Sequence, residues 1–169
     1  MLPMNEPYTN YCGAFSNKKE SWHFDQGNSQ SNIIVELKKA LDERNLKDVQ
    51  ISASDETSID TQIDSYNKLS QQAKKIVTRI DTHIYGGSQR DKLRLLVEGE
   101  GKNLRLSEVD GGGIEGTNAG EMGAALWLAN RIITNLNLLR ASSWILWQLI
   151  DNHISKNGYN GKKIPVWLI

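Results

Sequence analysis

The sequence predicts an α/β fold with a parallel sheet, arranged as one arc of an eight-stranded barrel. Three observations point there. Segments with a helical apolar period alternate with short strand-like runs along the chain. Polar or glycine-rich residues follow the runs, as in Ser-Asp-Glu-Thr, Gly-Gly-Ser-Gln and Asp-Gly-Gly-Gly. Polar and aromatic groups gather at the C-terminal ends of those runs.

Residues 2–5 read as the truncated end of a first strand. A helix is predicted over 32–46, with Ile33, Ile34, Leu37 and Leu41 on one face and Ser29 or Ser31 as cap. A strand over 49–54 follows, then a helix over 58–77 with Ile59, Ile63, Tyr66 and Ala73 on one face. Strand 79–85, a weaker helix over 88–97 and strand 104–109 come next. The longest helix is predicted over 118–139, its face formed by Met122, Ala125, Leu126, Ala129, Ile132, Ile133 and Leu136. The last strand is expected over 142–150.

Two parallel architectures fit this order, an open doubly wound sheet and part of a barrel. The polar residues favour the barrel. Asn5-Glu6, Asp55-Glu56, His83 with Tyr85, Glu108 with Asp110, and Trp147-Gln148 all sit at strand C-terminal ends. In a barrel those ends form one ring where chemistry is assembled from several strands. An open sheet concentrates its site at a switch point instead.

Composition narrows the function. The 169 residues carry 20 basic and 20 acidic side chains, which argues against a broad nucleic-acid surface. A single cysteine, Cys12, excludes an internal disulfide framework and a multi-cysteine zinc site. The longest apolar stretch, around 144–150, is shorter than the about 20 residues a bilayer span needs. The N-terminus lacks the basic start and apolar core of a signal peptide. No cofactor, metal, nucleic acid or membrane is expected as a partner. His23 and His153 have no neighbours at metal-ligand spacing.

Asn5-Glu6-Pro7 is the sharpest local motif. Retaining glycoside cleavage needs two carboxyl groups about 5–5.5 Å apart, one to protonate the leaving oxygen and one to attack the anomeric carbon. A preceding Asn can hold a sugar hydroxyl. Alone, the motif more often describes a surface glutamate before a loop-starting proline. Ser107-Glu108-Val109-Asp110-Gly111 ends a strand, and Glu108 and Asp110 share parity, so alternation does not choose between them. His83 and Tyr85 also share a face. Trp147 lies nearer the strand's end than Trp144 and is the candidate sugar-stacking ring, with Trp144 assigned to packing. Asp55 and Glu56 could bind hydroxyls or cap the next helix through Thr57 and Ser58. Gly111, Gly113 and Gly116 match a dinucleotide-binding pattern, but the acidic residue expected about 20 positions onward is missing.

Taken together, Met4-Asn5-Glu6-Pro7, Ile51-Ser-Ala-Ser-Asp-Glu-Thr-Ser-Ile-Asp60, Thr82-His-Ile-Tyr-Gly-Gly-Ser-Gln-Arg90, Leu106-Ser-Glu-Val-Asp-Gly111 and Trp144-Ile-Leu-Trp-Gln148 resemble glycoside hydrolase family 30, and within it the endo-β-1,6-galactanase branch. The resemblance implies a partial TIM (β/α)8 barrel, strands four to eight with their helices. Residues 1–169 would then be the C-terminal half of the catalytic domain, with the N-terminal strands and the side β-sandwich absent. It implies Glu6 as acid/base and Glu108 as nucleophile, with Asn5, His83, Tyr85 and Trp147 lining the sugar site and Asp55 added as a hydroxyl-binding candidate. The implied activity is retaining endo-hydrolysis of β-linked galactan, in a secreted or extracellular enzyme. Cys12 stands where the family pattern has a tryptophan, and Trp22 where it has a small residue or cysteine. An inactive truncated barrel, a carbohydrate-binding fragment, or a half that pairs with a complementing N-terminal polypeptide is the rival expectation.

Overall fold

The computed structural model describes residues 5–8, 23–110 and 122–147. Its elements run α1 (Asn28–Glu43), β1 (Ile51–Glu56), α2 (Ile59–Lys68), α3 (Gln71–Ile76), β2 (Val77–His83), α4 (Arg90–Gly99), β3 (Asn103–Asp110), α5 (Met122–Leu139) and β4 (Ser143–Trp147). The strand expected at 2–5 lies almost wholly outside the described residues, as do the glycines at 111–116, Cys12, Trp22 and His153.

The four strands pair in parallel in the order β1-β2-β3-β4, each new strand adding to the same edge. A doubly wound sheet reverses direction at a switch point. None occurs here among the described residues, so the sheet is a parallel α/β arc with uniform progression.

Local chemistry explains the helix boundaries. Ser58 accepts a hydrogen bond from the Thr61 N–H and starts α2, with Asp60 in the first turn. The single helix expected over 58–77 is two helices. Leu69 adopts an extended backbone (ψ 143°) with its side chain buried, and Ser70 then caps α3 by accepting the Ala73 N–H. The break is held because the Ser70 N–H donates to Ser31 Oγ on α1. Ser31 is therefore not the α1 cap. That helix begins after Gly27, whose φ of 85° suits glycine.

The core lies between the sheet and the helices. Ile59, Tyr66 and Ala73 are fully buried, with Ile80, Leu93, Leu104, Leu106 and Leu139. Trp144 packs against this cluster, as expected of it. Two apolar faces depart from expectation. Leu37 of α1 is exposed, and so are Met122, Leu126 and Ile133 of α5. Apolar period identified these helices correctly but not the face that is covered. α5 docks through Asn135 and Leu139 near its C-terminus, so its N-terminal apolar stripe stands clear.

The sheet's other side is polar. Asp81 is buried between Arg79, whose Nε donates at 2.9 Å, and Arg105 from the paired position on β3. His83 follows Asp81 by two residues, on the same face and one level nearer the strand ends. No helix among the described residues is long and apolar enough to cross a membrane.

Burial predicts unequal costs of truncation. Ile80→Ala should lower the unfolding free energy by about 2–5 kcal/mol in urea denaturation. Leu126→Ala, at 63% exposure, should change it by less than about 0.5 kcal/mol. Equal losses at the two positions would contradict this placement of the core.

Candidate active site

Two irregularities at the C-terminal ends of the strands build the site. In the β2–β3 register, Thr82 pairs with Leu106 and His83 with Glu108, so Ser107 is an extra residue on β3. A bulge of this kind re-aims side chains. Val109 is buried in the core, while Ser107 and Glu108 both reach the polar cluster. On β1, Ser54 pairs with Asp81 and Glu56 with Thr82, leaving Asp55 unpaired at a φ of 68°. Glu6 also has a positive φ, 48°. Positive φ in non-glycine residues is costly and persists where surrounding contacts enforce it. Here the Glu6 N–H donates to the Asp55 carbonyl at 2.9 Å, and the Phe24 N–H to the Pro7 carbonyl at 2.8 Å.

His83 is the hub. Its ring is fully buried. Nδ1 lies 3.2 Å from Glu6 Oε1 and 3.4 Å from Glu108 Oε2, and Nε2 lies 3.6 Å from Asp55 Oδ1. Sharing one nitrogen brings the two glutamate carboxylates within about twice a hydrogen-bond length of each other. Tyr85 Oη donates to Glu108 Oε2 at 3.0 Å, and its ring meets His83 edge-on at 5.4 Å. Ser107 Oγ donates to Asp55 Oδ1.

The structure thus brings together Glu6, Asp55, His83, Tyr85 and Glu108. Asn5 adjoins them in sequence, and its Oδ1 is buried with no hydrogen-bond partner among the described residues. Trp147 pairs with Asp110 at the end of β4, but the side chains of both lie outside the described residues. The bulge at Ser107 brings Glu108 into the cluster.

Sequence reasoning missed the support beneath the site. Glu56 is fully buried on the helix side of β1. Its Oε1 accepts from Ser65 Oγ (2.6 Å) and Gln30 Nε2 (2.9 Å), and Gln30 Oε1 accepts from Ser54 Oγ (2.8 Å). The Glu56 N–H donates to Gln62 Oε1 at 3.1 Å. This network ties the end of β1 to α1 and α2. The apolar period of both helices carried no hint of it, since Gln30, Gln62 and Ser65 read as ordinary polar positions. Ser58, by contrast, caps α2 as its motif suggested.

Burial works against a charged His83, but the neighbouring Asp55, Glu6 and Glu108 outweigh it and push its pKa up to about 9. Burial raises Glu108 above the usual carboxylate range. Charge on His83 and the Tyr85 hydrogen bond oppose that rise, and Asp55 and Glu6 add to it. Burial likewise raises Glu56, against its Ser65 and Gln30 donors. Among the described residues, no three His, Cys, Asp or Glu side chains are arranged to hold a metal ion. The cluster sets Glu6, Glu108 and Asp55 around one buried imidazole.

The imidazole gains stability from being charged when folded. That contribution is complete below its ordinary value near 6.5 and is lost as pH rises through about 9. The stability gap between the unsubstituted protein and His83→Gln should therefore narrow between pH 6 and pH 10 in urea titrations. A gap that widens with pH would contradict the charged assignment.

No protein-family model matches the chain. The chain is 28% identical over 145 residues to an exo-β-1,6-galactobiohydrolase of Bifidobacterium longum subsp. longum, covering 85% of this chain and 9% of that protein. It is 28% identical over 149 residues to an endo-β-1,6-galactanase of Hypocrea rufa, covering 87% of this chain and 29% of that protein. The chain spans less than a third of the length of either relative. In fold it is similar to a glycoside hydrolase family 30 subfamily 8 xylanase from Clostridium acetobutylicum, with a TM-score of 0.59 at 17% identity over 95% of this chain and 36% of that one. It is also similar to SrfJ from Salmonella typhimurium, with a TM-score of 0.65 at 15% identity over 94% of this chain and 34% of that one. In sequence the chain is thus a relative of enzymes named for β-1,6-galactan cleavage, and in fold it resembles glycoside hydrolase family 30.

Proposed function

We propose that the chain is the C-terminal part of the (β/α)8 catalytic barrel of a retaining β-glycosidase acting on β-1,6-linked galactan. The observation that carries this reading is the approach of Glu6 and Glu108 to one imidazole nitrogen, at 3.2 and 3.4 Å. Two carboxylate oxygens sharing one nitrogen at these distances are compatible with the separation of about 5–5.5 Å used by retaining enzymes. The sequence relatives supply the substrate class.

In this reading the described strands β1 to β4 are strands five to eight of the barrel, and Glu6 follows strand four. Glu6 donates its proton to the glycosidic oxygen as the bond to the anomeric carbon breaks. Glu108 attacks that carbon from the opposite side and forms a galactosyl ester. Tyr85 holds Oε2 of Glu108, which leaves Oε1 for attack. Esterification removes a negative charge beside Glu6 and favours its role as base. Glu6 then takes a proton from water, and the hydroxyl displaces Glu108. Asn5 binds the sugar's 2-hydroxyl and Trp147 stacks on a pyranose face. The chemistry uses no metal or cofactor. The enzyme acts outside the cell, on galactan side chains. A barrel closes with about eight strands, so the reading also calls for a complementing N-terminal part.

Hydrolysis of β-1,6-galactan by the barrel completed with its N-terminal part, followed by NMR, tests the proposal. Glu108→Ala should abolish turnover, and azide should restore it with a product of inverted configuration. Glu6→Ala should slow galactan cleavage by about 10²–10⁴-fold while sparing substrates with good leaving groups. An initial product of inverted configuration from the unsubstituted protein would refute double displacement.

A further inference from the structure

Asp55 meets three residues of the cluster, Glu6, Ser107 and His83. Its carbonyl accepts the Glu6 N–H at 2.9 Å, so its main chain anchors the residue read as acid/base. Its Oδ1 accepts from Ser107 Oγ, and Ser107 is the bulge residue immediately before Glu108. The same Oδ1 lies 3.6 Å from His83 Nε2. That nitrogen is buried, and Asp55 is the carboxylate it faces at ion-pair distance. The opposite nitrogen faces Glu6 and Glu108, and Tyr85 borders the ring at its edge. Reaching three partners requires the left-handed backbone at φ 68°, which aspartate tolerates better than most residues. A residue whose only task was to meet sugar hydroxyls would need neither the carbonyl contact nor the buried imidazole.

We propose that Asp55 is a positioning residue: it orients His83 and keeps it charged, and through His83, Ser107 and its own carbonyl it sets the spacing of Glu6 and Glu108. The proposal rests on the glycosidase reading for its consequence in catalysis, but its first consequence is visible without turnover. It replaces the expectation that Asp55 serves as a hydroxyl ligand.

The test compares the unsubstituted protein with Asp55→Asn and Ser107→Ala. Asp55→Asn keeps the shape of the side chain and removes its charge. The ¹⁵N signals of His83 should then titrate well below pH 9, towards the ordinary value near 6.5. Ser107→Ala frees Asp55 Oδ1 from its donor, should shift the same midpoint by a smaller amount, and keeps the question open to measurement if Asp55→Asn does not fold. On β-1,6-galactan, kcat should fall roughly tenfold or more with KM nearly unchanged, because the loss is one of alignment. An unmoved His83 midpoint in the folded variants would overturn the proposal. So would a raised KM with kcat intact, which is the mark of a lost sugar contact. If the barrel completed by its N-terminal part cleaves no galactan while the His83 midpoint still follows Asp55, the enzymatic reading fails and the positioning of His83 stands.

Discussion

Three carboxylates cannot be gathered around a buried point without a cation, and His83 supplies it. Like charges a few ångströms apart in a partly desolvated site oppose one another strongly, and burial penalises each separately. An imidazolium with Glu6 and Glu108 on one nitrogen and Asp55 near the other offsets part of that cost. It does not offset all of it. One positive charge among three carboxyl groups leaves a surplus that is relieved when one carboxyl keeps its proton. A site holding one protonated and one ionised glutamate in close reach is what double displacement uses, so the electrostatic requirement of the fold and that of the proposed reaction coincide.

Backbone irregularity provides the convergence that regular strands would not. Straight parallel strands alternate side chains, and Ser107 and Glu108 would then point to opposite faces. The extra residue on β3 turns both toward His83, while Val109 returns to the core. Asp55 achieves the equivalent on β1 with a left-handed backbone. Such conformations hold only if the surroundings over-determine them. The buried Glu56, Gln30, Ser65 and Ser54 bonds do this beneath β1, and the Asp81 pairs with Arg79 and Arg105 do it one level below His83.

Much of the fold was legible because periodicity is a direct imprint of burial. The β-α alternation, Ile59, Tyr66 and Ala73 as one buried face, and Trp144 as packing all followed from spacing. The placement of polar residues at strand ends followed from the same segmentation, which is why Glu6, His83, Tyr85 and Glu108 could be named together. What could not be read depends on contacts between segments. A register shift leaves no trace in one strand's own alternation, so Glu108 and Asp110 were indistinguishable. The split between α2 and α3 depends on Ser31 receiving the Ser70 N–H, a pairing of residues 39 apart. The exposed stripe of α5 shows the converse, an apolar pattern read correctly as helix with its covering wrongly assumed.

The claim at the centre is that Glu108 attacks carbon while Glu6 handles protons. A 2-fluoro-galactoside with an activated leaving group reports this directly, because fluorine slows release of the covalent intermediate far more than a good leaving group slows its formation. Peptide mapping by mass spectrometry after incubation should find one fluorogalactosyl group, attached to Glu108. Its appearance on Glu6 or Asp110, or no covalent label at all on the barrel completed by its N-terminal part, would contradict the assignment.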